Sequence, residues 1–399
     1  MKKICPMYYK DFRCIGGACT DTCCAGWEID IDDVTYEKYQ KLPEELKQHI
    51  CGQIGTEGEE HFFLLKDGHR CSFLNEEGLC DIFIRAGENY LCDICREHPR
   101  FYNWVGSYTE AGLGLCCEEA ERLILGSQSP VQFEEYGEDI GESEDIFLLP
   151  LLEAREALFV ILQDRSQSVF YRMNQVCDFA ADLQEVLDFT VEEEIGEQVH
   201  RLSQMYKDLD RPVIKEAEKT CEFECQRTDK IEKEQMPYNQ AVVEKSSKKE
   251  CVRTLEQLFS VYAGLEALDS SWTVYMKELE GKTGELLDSL EVFLQAYEDR
   301  MYEYEQLMVY FVYRYFLEAV FTLDVQKPVR FAICSTWMIL LCDIDCWKSQ
   351  GSLTFEKQCE IVRRYSKEIE YCTENIEAIC KACDAFDFHG IGNFRSLKE

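Results

Sequence analysis

Apolar residues recur at three- and four-residue spacing along most of the chain beyond residue 145. This spacing puts apolar side chains on one face of an α-helix, so it predicts a helical body. The pattern is clearest in "DIFLLPLLEAREALFVILQDR", "SVFYRMNQVCDFAADLQEVLDF", "CVRTLEQLFSVYAGLEAL" and "TFEKQCEIVRRYSKEIEYC". A charged stretch near residues 215–250 interrupts it and predicts a loop or insert.

The first 126 residues have a different pattern, with short apolar runs, frequent glycines and twelve of the 23 cysteines. No clear series of alternating strands is visible there, although "HFFLLKDG" and "CSFLNEEGLCDIF" could form a small hairpin. An acidic, turn-rich stretch at 126–145 is a plausible connector. We therefore expect a mainly α protein, in which a compact cysteine-rich, metal-binding N-terminal module (1–126) packs on an α-helical domain (146–399).

Charge narrows the choice of partners. The chain has 77 acidic and 42 basic residues and a formal net charge of −35. Such a surface repels phosphate backbones and anionic lipid, so we expect neither nucleic acid nor membrane as a partner. A basic partner, such as a lysine-bearing protein, would be attracted, while solubility or halophily explains the charge equally well.

No export signal is apparent, and the longest apolar run, "FAICSTWMILLC", is too short to cross a bilayer. We therefore expect a cytoplasmic protein. Thiols stay reduced in that compartment, so the cysteines are better explained as metal ligands, redox groups or buried side chains than as disulfides.

Eight cysteines of the N-terminal part have spacings that suit metal centres: Cys14, Cys19, Cys23, Cys24, Cys71, Cys80, Cys95 and Cys117. Zinc ions and iron–sulfur clusters both take about four thiolates in a tetrahedral arrangement. Consecutive side chains diverge, so Cys23 and Cys24 cannot easily serve one metal together. The sequence therefore predicts either two centres or one centre with a spare thiol. The irregular spacing favours an iron–sulfur cluster, with zinc as the alternative.

The remaining cysteines have simpler explanations. Burial as a small apolar side chain explains four N-terminal cysteines at least as well as metal binding: Cys5, Cys51, Cys92 and Cys116. The pairs at 342 and 346 and at 380 and 383 have helical spacing among apolar residues and are predicted to lie in the core. The CxxxCxxC motif of radical enzymes is absent, because Gly26 occupies the position of its third cysteine.

Four N-terminal stretches together resemble the flagellin lysine-N-methylase family, which is related to zinc- or iron-cluster-binding proteins with a CxxCxxCC signature. These stretches are "CPMYYKDFRCIGGACTDTCCAGWEIDID", "CSFLNEEGLC", "LCDICREHPRF" and "TEAGLGLCCEEAERLIL". "YFVYRYFLEAVF" and "RRYSKEIEYCTENIEAI" resemble the C-terminal region of the same family. The resemblance is strongest over residues 1–126.

The resemblance implies a protein-lysine N-methyltransferase that acts on flagellin or a similar surface protein. It also implies S-adenosylmethionine as methyl donor and an iron–sulfur cluster held by the eight cysteines named above. The chain departs from the family pattern at two points. It has Cys116-Cys117-Glu118-Glu119 in place of Ser-Cys-Pro-Glu, and His98-Pro99-Arg100 in place of Tyr-Pro-Arg. The implied cluster assignment survives both changes, but together they leave the identity of the substrate open.

Methyl transfer to lysine needs a neutral amine, so a group must accept a proton. The N-terminal candidates, each with a structural role as the simpler explanation, are Tyr8, Tyr9, Asp21, Glu28 and Glu110. Arg100 is the candidate cofactor-binding residue, because a guanidinium there could hold a carboxylate of the cofactor; holding a substrate carboxylate or neutralising cluster charge are the alternatives. No glycine-rich cofactor loop is present. A non-catalytic metal-cluster or redox protein, or a cluster-dependent enzyme that modifies a different peptide, remain the alternatives.

Overall fold

The computed structural model describes residues 3–66, 69–136, 145–207 and 248–383. Most of these residues are helical, which confirms the predicted mainly α class. The predicted insert near 215–250 lies outside the described residues, except for the last three positions, which begin a helix.

Six helices lie in the first 126 residues or directly after the connector: α1 (Asp33–Gln40), α2 (Glu44–Cys51), α3 (Asp81–Ala86), α4 (Asp93–Glu97), α5 (Glu118–Leu125) and α6 (Leu148–Leu162). The others form the rest of the body: α7 (Val169–Phe189), α8 (Glu192–Lys207), α9 (Lys248–Ala263), α10 (Ser270–Ala296), α11 (Tyr302–Tyr315), α12 (Ala319–Thr322), α13 (Gln326–Gln350), α14 (Phe355–Ile369) and α15 (Thr373–Cys383).

The described strands are short: β1 (Lys3–Pro6), β2 (Ile54–Glu57), β3 (Glu60–Phe63), β4 (Leu65–Lys66), β5 (Arg70–Cys71), β6 (Arg100–Val105), β7 (Tyr108–Leu113) and β8 (Phe133–Tyr136). Short 3₁₀-helices add Met7–Asp11, Gly16–Ala18, Glu88–Tyr90, Glu298–Arg300 and Phe316–Glu318.

Helix α13 is the centre of the body and packs against α7, α10, α11, α14 and α15. It contains the apolar run 331–342, and its side chains are buried on all sides over most of its length. A helix that is apolar all round belongs in the interior of a bundle. Ser335 and Thr336 satisfy their hydroxyls by donating to carbonyls one turn earlier, at 2.7 and 2.8 Å.

A four-stranded sheet in the order β6-β7-β1-β8 packs on the helical body. Strand β1 is parallel to β7 and antiparallel to β8, while β6 and β7 form a hairpin. Tyr313 of α11 ties the helices to the sheet, because its hydroxyl donates to the carbonyls of Ile4 and Ala111 at 3.0 and 3.1 Å. The expectation of no strand series in this part was therefore wrong. Gly106 is the sequence signal that this expectation missed: it lies in the turn between β6 and β7, where its φ is +58°, and glycine favours such hairpin turns.

The small hairpin predicted around residue 65 is present in part, since β4 pairs antiparallel with β5. "HFF" of the predicted hairpin pairs instead with β2. Among the described helices, none has both the length and the apolar composition needed to cross a bilayer.

Apolar side chains form two separate cores. The large core joins the helical body to the sheet and to α5, and it reaches as far towards the N-terminus as Phe12. The small core lies between the cysteine-bearing loops and has nine buried members: Ile29, Ile31, Tyr39, Ile50, Phe63, Cys71, Phe73, Ile82 and Cys92. Residue 126 as a domain boundary stays a prediction. The side chains of the small core and those packed against it come from residues 24–95; we call residues 14–98, which add the preceding cysteine loop, the cysteine-rich module.

Candidate functional site

The first cysteines of the module lie on a loop that is fixed to the start of α5. This loop contains the short helix Gly16–Ala18, and the Thr20 amide and hydroxyl both donate to the Glu118 carboxylate at 2.7 Å. The Cys19 thiol donates to the same carboxylate at 3.5 Å. Because Cys117 directly precedes α5, these contacts bring it to the loop although it is about a hundred positions away in sequence.

Four of the eight predicted ligands are neighbours on this side, and we call them the first sulfur group: Cys14, Cys19, Cys23 and Cys117. Burial raises the pKa of Cys117, and the nearby Cys14 thiol adds to that shift. Burial also raises the pKa of Cys19 to about 11, to which Cys117 contributes. Cys14 and Cys117 both act on Cys23, whose pKa is raised first by its hydrogen bond with Cys24 and then by burial.

The other four lie in or against the small core and form the second sulfur group: Cys24, Cys71, Cys80 and Cys95. The amide of Cys71 donates to the carbonyl of Cys24 at 2.8 Å, which brings these two backbone segments into contact. Burial raises the pKa of Cys71 to about 11, and the thiols of Cys24 and Cys80 add to it. Cys95 has Cys24 and Cys80 among its electrostatic neighbours.

Cys23 belongs to the first group and Cys24 to the second, but their thiols share a hydrogen bond, so the two groups meet at this pair and the two side chains do not diverge. The Cys23 thiol donates a hydrogen bond that lowers the pKa of Cys24 to about 7. Within the residues described, no three or more His, Cys, Asp or Glu side chains are close enough together to hold one metal ion. Each group nevertheless has four sulfur donors, the number that a tetrahedral zinc ion or an iron–sulfur cluster requires.

The four N-terminal cysteines that were predicted to be small buried side chains differ in their surroundings. Cys5 and Cys116 are buried, as expected for small apolar side chains. Cys51 is partly buried beside the small core. Cys92 is buried next to the second sulfur group, and the hydrogen bond from Cys95 lowers its pKa. Cys92 is therefore a fifth thiol beside that group.

Ion pairs and one aromatic contact join the module to the body. Asp21 accepts hydrogen bonds from Arg363 and Lys367 of α14 at 2.8 and 2.6 Å. Trp27 donates to the carbonyl of Cys23 at 2.9 Å, and its ring lies 5.4 Å from that of Tyr371. Asp21, a candidate proton acceptor from the sequence, thus has a structural role at this interface.

Arg100, the predicted cofactor-binding residue, opens β6. Its guanidinium lies over the rings of Phe12 and Tyr9, at 5.2 and 5.8 Å from their centroids. The part of the chain that the structure describes shows no acidic partner for it. The aromatic rings orient this cation and leave its hydrogen-bond donors free for an anion.

The other candidate proton acceptors do not converge on one place. Glu110 is buried and forms a bidentate ion pair with Arg155 of α6, with one bond of 2.8 Å, and it accepts from Tyr108 at 2.7 Å. Glu28 is exposed, and Tyr8 packs against the large core. Glu110 and Tyr8 have structural surroundings.

A buried polar network that was not predicted lies between the sheet and the end of α14. Glu370 accepts hydrogen bonds from Tyr310 and Tyr315 at 2.8 and 2.9 Å and pairs with Arg314 at 3.1 Å. All of these bonds involve Oε2, whereas Oε1 is buried and has no partner in the described residues. Tyr371, the next residue, turns its hydroxyl to the Cys116 thiol at 2.8 Å. The network thus reaches the neighbourhood of the first sulfur group.

A sequence signal for this network existed. Arg314 lies within the apolar stretch "YFVYRYF", and Glu370 within "EIEYC". A charge inside an apolar helix needs a buried partner of opposite sign. Pairing the two stretches required the fold, because α12, α13 and α14 lie between them in the chain.

An open groove lies beside this network, between β6 and the segment that follows α11. Its volume is about 420 Å³. The lining comes from 101–105 on one side and from Arg314, Tyr315, Leu317, Glu318 and Phe321 on the other. Trp104 and Phe321 are 60% and 67% exposed, which is unusual for aromatic rings that line one cleft.

Comparisons with known proteins bear on what this site does. A family model described as the FliB lysine N-methylase C-terminal domain matches residues 155–397, more than half of the chain. Two proteins named lysine-N-methylase, from Salmonella choleraesuis and Salmonella typhimurium, are each 27% identical over 143 residues. The flagellar biosynthetic protein FliU of Salmonella muenchen is 28% identical over 133 residues.

Coverage differs among these relatives. The alignments to the two lysine-N-methylases include 33% of this chain and 34% of each relative, so the chain spans about a third of their length. The alignment to the flagellar protein includes 30% of this chain and 75% of that relative. No solved structure matches the chain.

Proposed function

Because the chain belongs to the FliB lysine N-methylase family, we propose that it methylates the ε-amino groups of lysine side chains on flagellin or a similar surface protein. Lysine methylation and a flagellar role appear in the names of the relatives that it matches. A net charge of −35 favours a lysine-bearing protein as substrate. S-adenosylmethionine is the proposed methyl donor.

The two sulfur groups are the proposed metal centres. Cys14, Cys19, Cys23 and Cys117 would hold one centre, and Cys24, Cys71, Cys80 and Cys95 the other, as iron–sulfur clusters or as zinc ions. When bound, such centres supply cross-links that fix the module and a cationic site that can bind an amino-carboxylate. The proximity of Cys14 and Cys117 to Cys23, and of Cys24 and Cys80 to Cys95, supports this assignment.

Arg100 is the proposed binding residue for the carboxylate of the methyl donor. Its guanidinium is held by two aromatic rings and has no acidic partner among the described residues. Arg100 also comes a few residues after α4, the helix that contains Cys95. A methyl donor bound to Arg100 would therefore lie near the second sulfur group.

The amine must lose a proton before it can attack a methyl group, because a lysine side chain has a pKa near 10.4. Tyr315 lines the groove and donates its hydroxyl to Glu370. We assign proton acceptance to this pair: the ammonium proton passes to the Tyr315 oxygen as the tyrosine proton passes to Glu370. The partnerless Oε1 of Glu370 leaves that carboxylate with acceptor capacity.

The family match over residues 155–397 is the observation that carries this proposal. It is tested by purifying the full chain anaerobically and incubating it with flagellin and isotope-labelled S-adenosylmethionine. We expect label on lysine side chains, located by mass spectrometry of flagellin peptides. Metal and acid-labile sulfide analysis of the same sample identifies the centres.

A protein that holds its metals but transfers no methyl group to any flagellin lysine would contradict the proposed activity. A colourless protein loaded with zinc would instead exclude only the iron–sulfur form of the centres.

A further inference from the structure

Strand β6 is at the edge of the four-stranded sheet, and within the described residues no strand pairs with its outer side. In an antiparallel pair, alternate residues turn their N–H and C=O groups away from the partner. Half of the backbone groups of Arg100–Val105 therefore face away from β7. An exposed row of such groups is a template for another extended chain.

The groove lies along this free edge. The sheet side is formed by 101–105, and the opposite wall is formed by Leu317, Glu318 and Phe321. Phe101 and Asn103 point to the body: the Phe101 ring lies 6.1 Å from that of Tyr313, and the Asn103 amide donates to the Arg314 carbonyl at 3.1 Å. These contacts hold strand β6 against the helical body.

Aromatic side chains along the groove fit an aliphatic or cationic side chain. Trp104 stacks on Tyr102 with centroids 5.5 Å apart, and Lys3 lies 4.8 Å from the Tyr102 centroid. These contacts occupy Tyr102, while Trp104 and Phe321 stay mostly exposed. The faces of such rings attract ammonium groups.

Charge selects among possible occupants. Glu318 is 51% exposed in the groove wall, and its ion pair with Lys327 is long, at 3.5 Å. The one cation of the lining, Arg314, is already paired with Glu370 at 3.1 Å. With Arg314 paired, Glu318 is the acidic side chain of this lining that can complement a lysine side chain.

From these observations we propose that an extended, lysine-bearing segment of the protein substrate binds along β6 as an added strand. The segment would pair its backbone with the outer edge of β6 and place side chains against Trp104 and Phe321. A lysine of the segment would then face Glu318 and Tyr315. This inference rests on the proposed function for the identity of the substrate, but its binding step does not require methyl transfer.

Binding is measured on the anaerobically purified full chain with a fluorescent nine-residue peptide of alternating valine and threonine around one central lysine. A second peptide has the same sequence with alternate backbone amides N-methylated. Strand addition depends on main-chain hydrogen bonds, so we expect the N-methylated peptide to bind at least about tenfold more weakly.

Three protein variants locate the site. Trp104→Ala and Phe321→Ala should each weaken peptide binding about tenfold, as expected for aromatic contact residues. Phe189→Ala removes a ring that is 85% exposed elsewhere on the body and should bind the peptide as the unaltered protein does. Equal affinities for all three variants would overturn the proposal.

Hydrogen exchange distinguishes strand addition from side-chain docking. The peptide should slow exchange of amides in β6 and leave those of β8, the strand at the opposite edge, unchanged. Failure of the peptide to bind, or binding without protection of β6, would overturn the inference.

S-adenosylmethionine alone is the third ligand, because its sulfonium cation also suits aromatic rings. If Trp104→Ala weakens binding of this cofactor and not of the peptide, the groove is a cofactor site and the inference is wrong. If the peptide binds at β6 but flagellin is never methylated, the groove stands while the proposed activity fails.

Discussion

The two cores of the molecule differ in the amount of apolar burial that can stabilise them. The large core contains long helices, of which α13 is buried on all sides, and it joins the body to the sheet. The small core has nine buried side chains, two of them cysteines, between short helices and two-stranded ribbons. Small cores of this kind usually need a metal or disulfides for stability.

This difference leads us to expect that the two regions are stabilised in different ways. We propose that the helical body folds from apolar burial, whereas the module would gain its stability from metal bound by its sulfur donors. Free energy of metal binding would then become free energy of folding for the module alone. Each prediction below tests whether the two regions respond separately.

Metal removal should have the largest effect. After chelation under reducing conditions, we expect amides of the module, residues 14–98, to exchange hydrogen at rates close to those of an unfolded chain. Amides of α11 and α13 should stay protected, because their burial needs no metal. Hydrogen exchange followed by mass spectrometry measures both regions in one sample. Equal loss of protection in α13 would show that the cores are not independent.

Glu110→Gln should destabilise the body by about 3–5 kcal/mol, because it leaves the buried Arg155 guanidinium without its counter-charge. Denaturant unfolding, followed by far-ultraviolet circular dichroism, measures the free energy of unfolding. Glu360→Gln is the matched control, since this glutamate is 57% exposed and pairs with Lys357 on the surface. The control should cost less than about 1 kcal/mol. Similar costs for both variants would contradict a buried structural role for Glu110.

Glu370→Gln should slow methyl transfer at neutral pH by at least about a hundredfold, the usual range for losing a proton acceptor. The rate should recover as pH approaches the pKa of the lysine amine, because a neutral amine then needs no acceptor. A purely structural role for Glu370 would lower the rate equally at every pH. Glu370→Asp, which keeps the carboxylate, should restore part of the rate.

Asp21→Asn should have the smallest effect, about 1 kcal/mol or less, since Asp21 is 39% exposed and Arg363 keeps its ion pair with Glu121. Faster hydrogen exchange in 14–24, with unchanged exchange in α13, is the expected result. The difference from the unaltered protein should shrink at high salt, where surface charges are screened. A loss that high salt does not reduce would argue against an electrostatic contact.

Sequence patterns predicted the helical body well because its signal is local. The 331–342 run is a buried segment of α13, and the cysteines at 342, 346, 380 and 383 are buried as predicted. The expectation from the adjacent pair Cys23 and Cys24, either two centres or one centre with a spare thiol, stays a prediction, and the two thiols share a hydrogen bond. Which metal they hold stays a prediction.

What the sequence did not reveal depends on contacts between distant segments. Strand β7 carries a glutamate and a glycine, and Glu110 becomes compatible with a buried strand only through Arg155, 45 positions later. Glu370 and Arg314 likewise meet across α13. The groove along β6 has one wall from this edge strand of the N-terminal part and the other from the end of α11 and the short helices that follow it. Long-range pairing of this kind leaves no periodic signal in either segment.

Metal content of Cys23→Ser and Cys24→Ser tests most directly whether two separate centres exist. Both proteins are purified anaerobically beside the unaltered chain and Cys51→Ser, which changes a cysteine outside both sulfur groups. We predict that each of the first two variants retains about half of the metal, with a different remaining spectrum in each, and that Cys51→Ser retains all of it. Loss of all metal from either single variant, or full retention in both, would contradict the division of the eight thiols between Cys23 and Cys24.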